Sequence, residues 1–200
     1  MTAFIMCIDD VDDYHYDICK KYFPKRYENA IKMCSKDDEK LSVAAGYLMY
    51  KTLNCTENDI DYKINGKPYL KNNSVHFNIS HSGKYAVIAV STDEIGIDIE
   101  KASEKNLICS KRVFTSDEQE WVGEDTDRFS VLWTLKESVM KTLGEGLRLG
   151  AKDFDVMPFL HNESITVNGI KLYAHTAFYD SYALSLCSVY PFESIEIDRV

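Results

Sequence analysis

No CxxC pair occurs among the six cysteines of this 200-residue chain, at positions 7, 19, 34, 55, 109 and 187, and none has partner histidines at zinc spacing. A zinc ribbon, a dithiol redox site and a disulfide-stapled secreted scaffold are therefore not expected, and the thiols read as reduced filler. Proline is scarce, with four residues, and no stretch is of low complexity, which argues against disorder. No run approaches the roughly 18 continuous apolar residues that a membrane-spanning helix needs. The opening MTAFIMCIDD lacks a basic start, a long apolar stretch and a small-residue cleavage site, so no signal peptide is expected and a cytoplasmic location is. A basic surplus is missing too. The net charge is −9 and both halves carry more acids than bases, which excludes a basic domain for nucleic acid. Any phosphate-binding site must then be a local pocket.

What is present is an ordinary globular composition, 45% apolar and 28% charged, long enough to bury a core as one large domain or two small ones. Segment 3–8 reads as a strand and the following DDVDD as a loop. Helices are expected over 24–34, with Pro24 at its start, and over 36–53, where Leu41, Ala44, Ala45, Leu48 and Met49 share one face. Strands follow near 60–64, 75–79, 85–91 and 95–100, with a turn NGKP between the first two. Helices return at 104–113, at 116–122 with a capping box from Ser116 to Gln119, and at 126–143, which Gly144 and Gly146 end. The tail reads as a hairpin over 164–175 around Asn168-Gly169 and a strand over 182–189. This order predicts an α+β chain of two similar halves, 1–93 and 94–200.

Three segments carry chemistry. In GIDIEK, 96–101, the period of two puts Ile97 and Ile99 on one face and Asp98 and Glu100 on the other. Two such carboxylates either face solvent from an edge strand or share a hard cation, for which oxygen ligands select Mg²⁺. In WTLKESVMK, 133–141, Leu132, Leu135, Val139 and Leu143 form a core stripe, with Trp133, Glu137 and Lys141 in a row at its edge. Glu137 and Lys141, at i and i+4, fit a surface ion pair equally well. Lys136 falls inside the apolar arc and must run its stem to water or find a buried acid. In FNISHSGKYAVIAV, 77–90, Ser80, His81, Ser82 and Gly83 are placed in a turn that is either structural or able to bind phosphate oxygens.

Taken together, GKPYL (66–70), FNISHS (77–82), GIDIEK, KRVFTSDE (111–118) and WTLKESVMKTLGEGL (133–147) resemble, in order, the 4′-phosphopantetheinyl transferases of the larger, pseudo-dimeric, surfactin-synthetase-activating type. The resemblance implies two α+β subdomains related by a pseudo-two-fold axis, with coenzyme A bound in the cleft between them. It implies that Asp98, Glu100 and Glu137 hold Mg²⁺ with the coenzyme A pyrophosphate and that Lys141 contacts a phosphate. Ser80 and His81 would bind ligand phosphate oxygens, Lys67 and Pro68 would lie along the adenine, and Arg26, with Ser42 a further candidate, would meet the 3′-phosphate. The implied reaction is attack of an apo carrier-protein serine on the β-phosphate of coenzyme A, releasing 3′,5′-ADP. Glu137 would take the serine proton directly or through a water on the metal. Lys111 and Arg112 are candidates for carrier recognition, and a monomer is expected. The alternative is a non-catalytic module that binds coenzyme A or a nucleotide.

Overall fold

The computed structural model describes residues 1–200, the side chain of Leu147 excepted. In chain order the elements are β1 (Thr2–Cys7), α1 (Asp13–Tyr22), α2 (Pro24–Ala30), α3 (Lys36–Leu53), β2 (Ile60–Tyr62), β3 (Pro68–Leu70), β4 (His76–Ser82), β5 (Tyr85–Ser91), β6 (Ile95–Lys101), α4 (Glu104–Leu107), α5 (Ser110–Val113), α6 (Ser116–Val122), α7 (Thr126–Leu143), β7 (Ile165–Val167), β8 (Ile170–Tyr179), β9 (Tyr182–Ser188) and β10 (Glu196–Arg199). They form two α+β units, one of residues 1–92 with 196–200, the other of residues 93–195. No helix among the described residues is long and apolar enough to cross a membrane.

In the first unit the sheet runs β10-β1-β5-β4, and α3 packs on it. The Ser35 hydroxyl accepts from Asp38 N, acids fill the first turn, and Asn54 ends α3 in the left-handed region at φ 48°. Leu41, Ala44, Ala45, Leu48 and Met49 are all buried, as the periodicity predicts, and all but Ala45 share a core with Met6, Phe77, Ala86 and Ile88 of the sheet. Three features depart from the sequence reading. The loop expected after β1 leads into a helix, α1, capped by Asp12 with His15 returning the bond to the Asp12 N–H. Residues 196–200 do not join the second half, because β10 pairs in parallel with β1, from Thr2↔Glu196 to Ile5↔Arg199, and Arg199 reaches Asp10 at 2.9 Å. The helix expected over 24–34 stops at Ala30, where turns to Lys32 and Met33 free Ser35 to cap α3.

The second unit has the antiparallel order β6-β9-β8-β7 with α7 across it. Both central residues of the Asn168-Gly169 turn have positive φ, 51° and 79°, as a two-residue type I′ hairpin requires. The Asp125 side chain accepts from Asp127 N and Arg128 N to start α7, and Gly144 ends it at φ 68°. Leu132, Leu135 and Val139 are buried with Phe114, Val156, Leu172 and Ala183, and Leu143 packs half-buried beside them. The capping box of α6 lies one residue earlier than expected: Thr115 and Glu118 exchange the bonds, not Ser116 and Gln119. The helix expected over 104–113 is two single turns, α4 and α5, broken where Cys109 N bonds back to Asn106 O.

Candidate active site

Strand β6 and helix α7 place the acids. Gly96, Asp98 and Glu100 share the face of β6 that looks onto α7, while Ile95, Ile97 and Ile99 are buried on the other face. A Cβ at Gly96 would stand 2.1 Å from the Ser138 carbonyl oxygen and 2.6 Å from Thr142 N, so strand and helix meet backbone to backbone. Asp98, at 5% exposure, is accordingly not a solvent-facing edge acid. Because the obstructing atoms are backbone, Gly96→Ala is expected to destabilise the protein by about 3 kcal/mol. Urea unfolding checks this, and an unchanged midpoint would contradict the close approach.

Lys141 Nζ donates to Asp98 Oδ1 at 2.5 Å and to the Ile97 carbonyl at 3.2 Å. Glu137 lies one turn earlier on the same row. Burial pushes its carboxyl above the ordinary range, and the charges of Asp98 and Glu100 add to the effect while Lys141 opposes it. The Glu100 carboxylate accepts from Asn106 Nδ2 at 2.9 Å. Both side chains line a cavity of about 240 Å³ with Cys109, Val113, Phe129 and Trp133. Among the described residues, no three His, Cys, Asp or Glu side chains are gathered closely enough to hold a metal ion as they stand. The donor chemistry nevertheless suits a hard divalent cation. Asp98 already grips an ammonium, and Glu137, its carboxyl pushed up first by burial, also feels the charges of Asp98 and Glu100.

Lys136, adjacent to Glu137 and about 100° around the helix from it, is fully buried against Glu118, also fully buried, at 2.9 Å. Its Nζ donates to the carbonyls of Ala151 and Phe154 at 2.6 and 2.7 Å. Glu118 in turn accepts from Val156 N and from Thr115 N. The lysine in the apolar arc has found its buried acid, and the pair ties α6, α7 and the segment after α7 together.

The first unit brings Arg26 and Ser42 into one cavity of about 580 Å³, with Lys25, Asn29, Asn58, Tyr62 and Lys71 also on its wall. Lys67 and Pro68 lie at the start of β3, both half-buried. Ser80 and His81 are not in a turn as expected. They belong to β4, which runs to Ser82, and only Gly83 and Lys84 make the turn, with Gly83 at φ 53°. As strand neighbours they take opposite faces, Ser80 buried and His81 exposed. Lys111 and Arg112 are exposed on α5. Sequence reasoning did not single out Asn106, Lys25 or Lys71. Nothing in the local pattern marks them, since their places depend on helix breaks and hairpin packing.

Comparison with known proteins accords with this geometry. Residues 94–187 match the family model described as 4′-phosphopantetheinyl transferase superfamily, and residues 15–93 match one described as 4′-phosphopantetheinyl transferase, N-terminal. The 4′-phosphopantetheinyl transferase Sfp of Bacillus subtilis (strain 168) is 30% identical over 186 residues, covering 84% of this chain and 82% of that protein. The 4′-phosphopantetheinyl transferase gsp of Aneurinibacillus migulanus is 27% identical over 206 residues, 94% of this chain and 85% of its own. A further 4′-phosphopantetheinyl transferase of Bacillus subtilis is 42% identical over 97 residues, 46% of this chain and 43% of its own length. With the paired acids of β6, the Glu137 and Lys141 row of α7 and a relative matched over more than four fifths of both chains in agreement, the chain belongs to the 4′-phosphopantetheinyl transferase superfamily.

Proposed function

We propose that the protein transfers the 4′-phosphopantetheine group of coenzyme A to a serine of an apo acyl or peptidyl carrier protein, releasing 3′,5′-ADP, with Asp98, Glu100 and Glu137 as the groups that hold Mg²⁺. The observation that carries this reading is the convergence of the β6 acids with the α7 row, where Lys141 meets Asp98 at 2.5 Å and Glu137 feels the charge of both strand acids. Magnesium, when bound, offsets the charge of the pyrophosphate. Glu137 takes the proton of the attacking serine, a role for which a carboxylate of raised pKa is suited. Lys141 leaves Asp98 to stabilise the phosphate of the departing 3′,5′-ADP. Arg26, with Ser42 on the same cavity wall, receives the 3′-phosphate, Lys67 and Pro68 the adenine, and His81, on the exposed face of β4, a remaining phosphate oxygen.

The carrier is met through a local patch, since a net charge of −9 gives no overall attraction for an acidic partner. Exposed Lys111 and Arg112 of α5, beside Ile108 at 82% exposure, supply both basic and apolar contacts. The enzyme acts as a monomer in the cytoplasm. Incubation with coenzyme A, Mg²⁺ and a panel of apo carriers, read by intact mass, is expected to add one phosphopantetheine to at least one carrier. Coenzyme A binding with no carrier modified across the panel would leave only a non-catalytic binding module.

A further inference from the structure

The two strand acids are steered from different elements. Lys141 on α7 holds Asp98, and Asn106, the third residue of α4, donates its side-chain amide to Glu100 Oε1 at 2.9 Å. Asn106 is itself fixed at the backbone. Its N–H bonds to Ser103 O at 3.0 Å and its carbonyl accepts from Cys109 N at 2.9 Å, on a turn that packs against α7. A glutamate carboxylate turns about three side-chain torsions, so a hydrogen bond from a fixed donor selects one orientation among several. Carboxylates that bind metal ions depend on such outer partners for their geometry.

We infer that Asn106 is a positioning residue for the transfer reaction, whose amide sets the orientation in which Glu100 meets the divalent cation. The inference rests on the reading of Asp98, Glu100 and Glu137 as the cation-binding acids. It assigns no contact between Asn106 and coenzyme A or the carrier serine. Its effect is confined to how much Mg²⁺ is needed, so saturating Mg²⁺ restores turnover. Charge cannot substitute for the amide. Aspartate at 106 would add a negative group beside the site, which by bulk attraction alone would strengthen cation binding, but it accepts where a donor is required and repels Glu100.

The test compares wild type with Asn106→Leu, of similar volume without the amide, and Asn106→Asp. Two readouts are used: the Mg²⁺ concentration giving half-maximal carrier modification, and Mn²⁺ binding by electron paramagnetic resonance with coenzyme A and no carrier. Both variants are expected to bind the ion about 10-fold more weakly, with kcat recovered at saturating Mg²⁺. An unchanged midpoint for Asn106→Leu, even with a lowered melting temperature, marks a packing role and overturns the inference, as does tighter binding by Asn106→Asp. A wild-type enzyme that transfers nothing, or transfers equally without Mg²⁺, overturns the functional reading first and this inference with it.

Discussion

Glu137→Gln is expected to lower carrier modification by about three orders of magnitude, the middle of what a positioned general base contributes, while making the metal-free protein more stable at neutral pH. The opposed directions come from one cause. Burial, with Asp98 and Glu100 adding to it, holds the Glu137 pKa above its ordinary 4.5. Between 4.5 and that raised value the folded state binds more protons than the unfolded one, so stability falls as pH rises across the window. Below it the acid is neutral in both states and nothing is lost. Glutamine keeps the shape without the charge, so variant and wild type should melt together near pH 4 and diverge by pH 7, with the variant higher. Thermal melts across that range in a chelating buffer, beside intact-mass assays, check both halves. A variant of wild-type activity would remove Glu137 from the chemistry, and one that melts lower at pH 7 would show that its charge is not crowded. Added Mg²⁺ with coenzyme A should narrow the gap by stabilising wild type preferentially.

The same helix shows what local pattern can convey. The bounds of α7 and α3 follow from one periodic stretch with a cap at either end, Asp125 to Gly144 and Ser35 to Asn54, and so were legible. The Asn168-Gly169 hairpin was legible for the same reason. Helix α1 was not, because His15 stands where a capping box ordinarily shows Glu or Gln. Strand β10 was hidden because its partner β1 lies at the far end of the chain, and four residues of alternating character mean little until an edge is there to receive them. In the candidate site, strand alternation gave the shared face of Asp98 and Glu100, and helical spacing gave the row of Glu137 and Lys141. The ion pair from Lys141 to Asp98 and the hydrogen bond that the Asn106 amide donates to Glu100 needed tertiary structure. The second of these also needed the break between α4 and α5, where sequence suggested one continuous helix. Placing Ser80 and His81 in a turn failed because Gly83 alone supplies the positive φ, which lets β4 run on to Ser82.

Lys136→Met is expected to cost about 4 kcal/mol of folding stability, within the range for breaking a buried ion pair by removing one partner. Methionine has a similar volume, so the loss is electrostatic more than steric. It leaves the Glu118 carboxylate in a fully buried place without its cation, and the carbonyls of Ala151 and Phe154 without their donor. Burial already pulls the Lys136 pKa down, with Glu118 opposing, so desolvation is the larger force on the lysine and the acid is what makes its charge tolerable. Neutralising both partners should therefore undo much of the damage. In Lys136→Met with Glu118→Gln no unpaired charge remains, and the glutamine carbonyl can still accept from Val156 N, where Glu118 Oε1 accepts at 3.0 Å. The double variant is expected to unfold at higher urea than Lys136→Met alone, a coupling that a double-mutant cycle measures directly. Simple addition of the two single losses would mean that each residue acts through packing alone. Because Lys136 and Glu137 are adjacent on α7, the lysine anchoring the helix and the carboxylate facing the β6 acids, activity per folded molecule should survive in the double variant if Gly96 suffices to seat the helix. It should fall if the buried pair is needed to hold the helix's rotation.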